Sequence, residues 1–212
     1  MNDPASFILA NTALIAPPLV PEIRLHLATE VVPLWRKTEE ELAADGVPPP
    51  YWAFAWAGGQ ALARYVLDHA QDVRGRSVLD FGSGSGIVGI AAALAGAQVL
   101  AADIDEFAGA AIALNAKANG ASLTVTRDDV IGRDDAWDII LVGDMCYERP
   151  LAERLLAWLT TRKQNGASIL LGDPGRNYFP KSGVEKLATF NVQTTRELED
   201  REIRETSVYA LI

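Results

Sequence analysis

Apolar and polar positions alternate along this chain in two registers, short apolar runs and longer amphipathic stretches, and the two take turns. Residues 77–81 form an apolar run. A glycine-rich turn and a helix at residues 86–95 follow. Residues 98–103, 123–126, 138–142 and 167–171 repeat the run, and residues 107–119 and 148–161 have helical spacing. The helix at 107–119 is closed by Gly120 in the position where a left-handed residue ends helices. Upstream, Leu62, Tyr65, Val66 and His69 mark one face of a helix over residues 59–70. Runs that are apolar throughout belong to strands covered on both faces, and their alternation with helices predicts a parallel sheet. Residues 188–195 and 204–212 read as strands with no helix between them, which predicts a hairpin at one edge. The expected fold is α/β, a doubly wound, seven-stranded, mainly parallel sheet.

Pro48, Pro49 and Pro50 forbid both helix and central strand. They divide an N-terminal extension, residues 1–50, from a main domain, residues 51–212. Within the extension the pattern predicts a helix over residues 3–15 and a half-buried strand at residues 23–27. A further helix is expected at residues 38–44, where Thr38 and Glu41 form a capping box.

Composition narrows the function. With 212 residues, 49% of them hydrophobic and 22% charged, the chain is long enough for one core and too apolar to be disordered. Its 19 basic and 28 acidic residues leave a net charge of -9, which argues against a nucleic-acid partner. A single cysteine, Cys146, excludes an internal disulfide and a thiolate cage, and two histidines leave little for a metal. Residues 1–18 carry Asp3, no Lys or Arg, and Pro17 and Pro18, unlike a secretory signal. The longest apolar stretch, residues 87–100, is broken by Gly89, Gly96 and Gln98 and falls short of the roughly 20 residues that cross a bilayer. A cytoplasmic protein without a membrane partner is expected.

The first strand leads into Gly82, Gly84 and Gly86, where a ligand can approach backbone N–H groups at a helix start. Gly84, Gly86 and Gly89, with Asp103 nineteen positions after Gly84, also satisfy the dinucleotide fingerprint. Asp80 separates the two readings, because a carboxylate before the loop repels a pyrophosphate and suits a cationic ligand. The segment Val78-Leu79-Asp80-Phe81-Gly82-Ser83-Gly84-Ser85-Gly86 resembles the first motif of class I, seven-strand methyltransferases. That resemblance implies S-adenosylmethionine as cofactor, a Rossmann-like fold, and Asp80, Gly82, Ser83 and Gly84 around its methionine part. It also implies Asp103 at the ribose, and Ile104 and Asp129 beside the adenosine.

The strand at 138–142 ends in Gly143-Asp144-Met145-Cys146-Tyr147, which puts Asp144 and Tyr147 on the ligand side of the sheet. The two prolines that stiffen the loop of amide and base methyltransferases are missing. The looser Asp-x-x-Tyr spacing is similar to that of protein lysine methyltransferases. Together with residues 48–65, it resembles the methyltransferases that modify lysines on the β-subunit of electron-transfer flavoprotein. The resemblance implies Asp144 and Tyr147 as catalytic residues, Trp56 and Gly59 beside the cofactor, and that β-subunit as partner. Tyr51, Trp52 and Phe54 can shape a lysine channel or fill a core, Asp144 can instead cap a helix, and residues 173–178 form a turn-rich rim loop. Rival readings are a methyltransferase for glutamine amide, nucleic-acid base or small amine, and a binding module without catalysis.

Overall fold

The computed structural model describes residues 3–29, 49–194, 199 and 201–212. The helix expected at residues 38–44 and the boundary residue Pro48 lie outside them. In chain order the helices are α1 (Pro4–Asn11), α2 (Ala57–Asp68), α3 (Ala70–Val73), α4 (Ile87–Leu94), α5 (Glu106–Ala118) and α6 (Arg149–Gln164). The strands are β1 (Ala13–Ile15), β2 (Leu25–Leu27), β3 (Ser77–Phe81), β4 (Gln98–Ala102), β5 (Thr124–Thr126), β6 (Ile139–Gly143), β7 (Ser168–Asp173), β8 (Val184–Gln193) and β9 (Ile203–Leu211).

Seven strands form one sheet in the order β5-β4-β3-β6-β7-β9-β8. The first five are parallel, and β9 runs antiparallel to both β7 and β8. The chain winds outward from β3 to β5, then returns to place β6 on the other side of β3. The switch of direction therefore falls between β3 and β6, where the carboxyl ends of strands open a crevice. All seven expected strands are present, and so is the terminal hairpin. β8 begins at Val184, ahead of the expected residue 188, through an irregularity between Lys186 and Ala188. Most of its side chains face solvent, so its apolar pattern is weak.

Alternate strand residues feed two cores. Val78, Val99, Ile139 and Leu141 pack with α2 and α4 on one face, and Leu79, Phe81, Ile140 and Val142 pack with α6 on the other. That two-sided burial is why the runs are apolar throughout. Val20, Ile23, Leu25 and Leu27 of the N-terminal segment join the first core. β2 also docks on α5 through amides: His26 N–H donates to Asn115 at 2.7 Å, and the same Asn115 donates to the Ser85 carbonyl at 2.7 Å.

The helix expected over residues 3–15 stops at Asn11. Asn11 and the Thr12 hydroxyl donate to the Phe7 and Ile8 carbonyls, which satisfies the open end. Thr12 is extended, and Ala13 to Ile15 pair with Leu25 to Leu27.

α2 enters the sheet at very close range. A Cβ on Gly58 would lie 2.2 Å from the Gly172 carbonyl oxygen, and one on Gly172 would lie 2.2 Å from the Gly58 carbonyl oxygen. A Cβ on Gly143 would lie 3.1 Å from the Gly59 Cα. Glycine on both sides is the condition for seating the first turn of α2 on the ends of β6 and β7.

Candidate active site

The crevice gathers four aspartates at the carboxyl ends of adjacent strands: Asp80 on β3, Asp103 after β4, Asp144 after β6 and Asp173 on β7. Two knots of hydrogen bonds organise them.

The first knot is the glycine loop. Gly82, Gly84 and Gly86 have φ of 64°, 53° and 84°, left-handed values that disfavour other residues. Gly86 thereby starts α4. The Asp80 Oδ2 accepts from the Ser83 hydroxyl and, at 2.8 Å, from Gly89 N–H, so it clamps both the loop and the first turn of α4. A Cβ on Gly89 would come within 2.9 Å of that oxygen. This close approach accounts for the third glycine of the dinucleotide-like spacing. Asp103 accepts from Gly84 N–H at 2.9 Å and Asp105 N–H at 3.0 Å. Burial pushes the Asp80 carboxyl up to about 6, against the lowering effect of Ser83 and Gly89, and it also raises Asp103. Asp105, which caps α5, and Asp173 are likewise pushed up to about 6 by burial. Carboxylates crowded in this way favour a ligand that brings positive charge.

The loop fits S-adenosylmethionine on its own geometry. A side chain at Gly84 would point into open space, the Asp103 carboxylate stands beside it, and the Ile104 side chain is 73% exposed next to that carboxylate. Met145 lies over Gly82, with its sulfur 2.3 Å from where a Cβ would stand.

The second knot surrounds Asp144, which is buried and has φ of 58°. Its Oδ2 accepts from Gly59 N–H at 2.8 Å, in the first turn of α2, which has no side-chain cap of its own at Trp56. Asp144 therefore caps a helix, although α2 and not the helix that follows it. Its Oδ1 accepts from Arg176 Nε at 3.1 Å and Nη2 at 2.7 Å. Burial raises the Asp144 carboxyl above its ordinary value, and the Arg176 guanidinium opposes that rise. Trp56 lies under the same guanidinium, its ring centroid 5.5 Å from Cζ.

Tyr147 lies beside the first knot. Its ring packs 5.7 Å from that of Tyr51, and its hydroxyl is pushed up to about 12 by burial, with Glu148, Tyr51 and Asp103 adding to the shift. The phenol thus stays protonated at neutral pH. Burial also pushes the Cys146 thiol up to about 12, which leaves it an inert packing residue. Trp52 and Phe54 are buried with Ile8, Ala108 and Ala111, so of the three aromatics weighed for a channel only Tyr51 reaches the surface.

Asp129 stands apart. Its oxygens take Ile131 N–H and an ion pair with Arg154, and among the described residues no hydrogen bond joins it to either knot. Sequence reasoning missed Gly58, Gly172, Arg176 and Glu199. Arg176 lies in the rim loop singled out above, whereas Glu199 carries no local signal. No group of three or more His, Cys, Asp or Glu among the described residues is placed to hold a metal, and no helix there is long and apolar enough to cross a membrane.

A sheet of this order, with a glycine loop at the switch point and an aspartate ending the next strand, defines the class I methyltransferase fold. Magnesium protoporphyrin IX methyltransferase from Synechocystis PCC 6803, solved with bound SAH, shares that fold. Its TM-score is 0.53 at 19% identity, over 74% of this chain and 84% of that one. Residues 53–182 match the lysine methyltransferase family. The electron transfer flavoprotein beta subunit lysine methyltransferase of Xenopus laevis is 41% identical over 98% of this chain and 86% of its own length. The protein of that name from Danio rerio is 39% identical over 98% and 83%. The chain belongs to the lysine methyltransferase family, S-adenosylmethionine-dependent enzymes that methylate protein lysines.

Proposed function

We propose that this enzyme methylates lysine side chains on the β-subunit of electron-transfer flavoprotein, with Asp144 and Tyr147 facing the lysine. The observation that carries the site assignment is a count of acceptor positions. A carboxylate offers about four, and Gly59 N–H and two Arg176 N–H groups fill three on Asp144. By this count one position is left, which we assign to a single N–H of the amine.

Gly82, Ser83, Gly84 and Asp80 would hold the methionine part of S-adenosylmethionine, Asp103 its ribose, and Ile104 and Asp129 its adenine, with Trp56 and Gly59 closing the side toward α2. When bound, that group supplies a methyl carbon on a cationic sulfur, whose S–C bond breaks as the lysine nitrogen's lone pair forms the N–C bond. Asp144 holds one amine N–H and thereby aims the lone pair away from itself. The protonated Tyr147 phenol lines the approach and cannot serve as a base near neutral pH, so the lysine proton leaves to water. Alignment of this kind supplies most of the acceleration in a displacement that needs no acid.

The substrate assignment rests on the likeness to the two relatives over 98% of this chain. The test is incubation of the purified enzyme with tritiated S-adenosylmethionine and the flavoprotein, followed by mass spectrometry of its β-subunit. Methyl groups on β-subunit lysines are expected. Label in RNA, on a glutamine amide or on a small amine would overturn the reading, as would cofactor binding with no transfer.

A further inference from the structure

The loop after β7 brings a cation to a place where the sequence suggested only an acid. Besides its two bonds to Asp144, Arg176 donates from Nη1 and Nη2 to Glu199 at 3.0 and 2.6 Å. Its backbone N–H donates to Asp173 at 2.6 Å, and its guanidinium lies over Trp56. The Glu199 side chain is 1% exposed, with the Arg204 Nε 4.0 Å away. Swinging Arg176 out would strip the buried Asp144 of its cation and leave Glu199 only Arg204 at 4.0 Å, which is strongly unfavourable. The guanidinium therefore stays when a substrate enters.

This matters because lysine arrives as an ammonium, and a bare carboxylate would hold it in that unreactive form. Taking Asp144 as the lysine-facing group, as the proposed function does, we infer that Arg176 is a positioning residue. Clamped by Glu199, it opposes the field of Asp144 at the substrate and so weakens the hold of the lysine nitrogen on its proton, which leaves to water before the neutral amine takes the one remaining acceptor position. The neutral nitrogen then has its lone pair free to form the N–C bond. The methylammonium product loses a proton to water before any further round.

Other ionisable groups around Asp144 set a background that does not move the limb between the variants. The Cys146 thiol and the Tyr147 phenol are both pushed up to about 12 and stay neutral, and the Tyr51 phenol is raised by burial. Asp173, pushed up to about 6, is ionised throughout the range read and adds a constant negative charge that Arg176 also opposes. Glu148 and Asp103 act on the Tyr147 side, and Arg204 acts through Glu199.

The pH dependence of kcat at saturating cofactor and substrate, read from pH 7 to 10, tests this. Arg176→Gln should move the acid limb up by about one pH unit, a loss of about tenfold at pH 7.5 that closes by pH 10. Arg176→Lys should leave the limb in place. Glu199→Gln, which frees the guanidinium's charge, should move it down, and it carries the test alone if Arg176→Gln fails to fold. Equal loss at every pH, or an unmoved limb in a working lysine methyltransferase, would overturn this inference alone. Methyl transfer by the wild-type enzyme to something other than lysine would remove the proposed function and this inference with it.

Discussion

Gly58 and Gly172 meet across α2 and β7 with no space between them for a side chain, each standing where the other's Cβ would strike a carbonyl oxygen at 2.2 Å. Backbone cannot yield as a flexible side chain does, so alanine at either position must lift the first turn of α2 off the sheet. Overpacking of this kind costs about 1–3 kcal/mol. Gly58→Ala has the further effect of pressing on the Asp144 carboxylate, 2.6 Å from the new Cβ. We expect both variants to lose about 2 kcal/mol or more in urea denaturation, with activity falling further in Gly58→Ala. Gly84→Ala, where the space is open and only a φ of 53° is unfavourable, should lose about 1 kcal/mol.

The raised carboxyls give the ligand-free protein an unusual pH response. Asp80 titrates at about 6 when folded and at about 3.9 when unfolded, so between these values the folded state binds more protons. Its contribution to stability is complete below pH 4 and is lost as pH rises through 6. Asp80→Asn removes that dependence. Relative to wild type, the variant should gain on the order of 2 kcal/mol on going from pH 4.5 to pH 7. Urea titrations of both proteins at the two pH values check the sign. Binding of a cationic cofactor restores the charged form of Asp80, so calorimetry at pH 6 in buffers of different ionisation enthalpy should show proton release.

The sheet and the glycine loop were legible in the sequence because both are local. A strand buried on two faces has to be apolar residue after residue, and Gly82, Gly84 and Gly86 are tied to their φ values within one turn. The second knot is not local. Arg176 meets Asp144 over 32 positions and Glu199 over 23, and no periodicity records such a pairing. The carboxylate of Asp144 shows in the sequence as an acid at a strand end, but its helix-capping bond to Gly59 spans 85 positions. The early stop of α1 rests on the Asn11 and Thr12 side chains, whose helix-ending bonds leave the apolar pattern unchanged.

Asp103 and Asp129 should differ in their effect on cofactor affinity. Asp103 holds the loop through Gly84 and stands within the crevice, so Asp103→Ala removes a loop anchor together with the proposed ribose contact. Asp129 is half exposed and already paired with Arg154. Its contact with an adenine would add to an exposed ion pair that is itself worth about 0–1 kcal/mol. Calorimetric titration with S-adenosylmethionine should show affinity reduced more than about tenfold by Asp103→Ala and about threefold by Asp129→Asn, a difference near 0.7 kcal/mol or greater.

If Tyr147 faces the lysine as proposed, its ring should contribute more than its hydroxyl. A phenol pushed up to about 12 cannot accept the lysine proton, and the ring already packs tilted against Tyr51 at 5.7 Å, so with Tyr147 facing the lysine, as proposed, the pair would form an aromatic wall beside it. An amine becoming a methylammonium gains cation–π stabilisation from such a wall. Tyr147→Phe keeps the wall and should retain at least about a tenth of wild-type kcat, whereas Tyr147→Ala opens it to water and should lose about a hundredfold. Single-turnover assays on the flavoprotein β-subunit separate these outcomes. Equal losses in the two variants would mean that the hydroxyl, and not the ring, positions the amine.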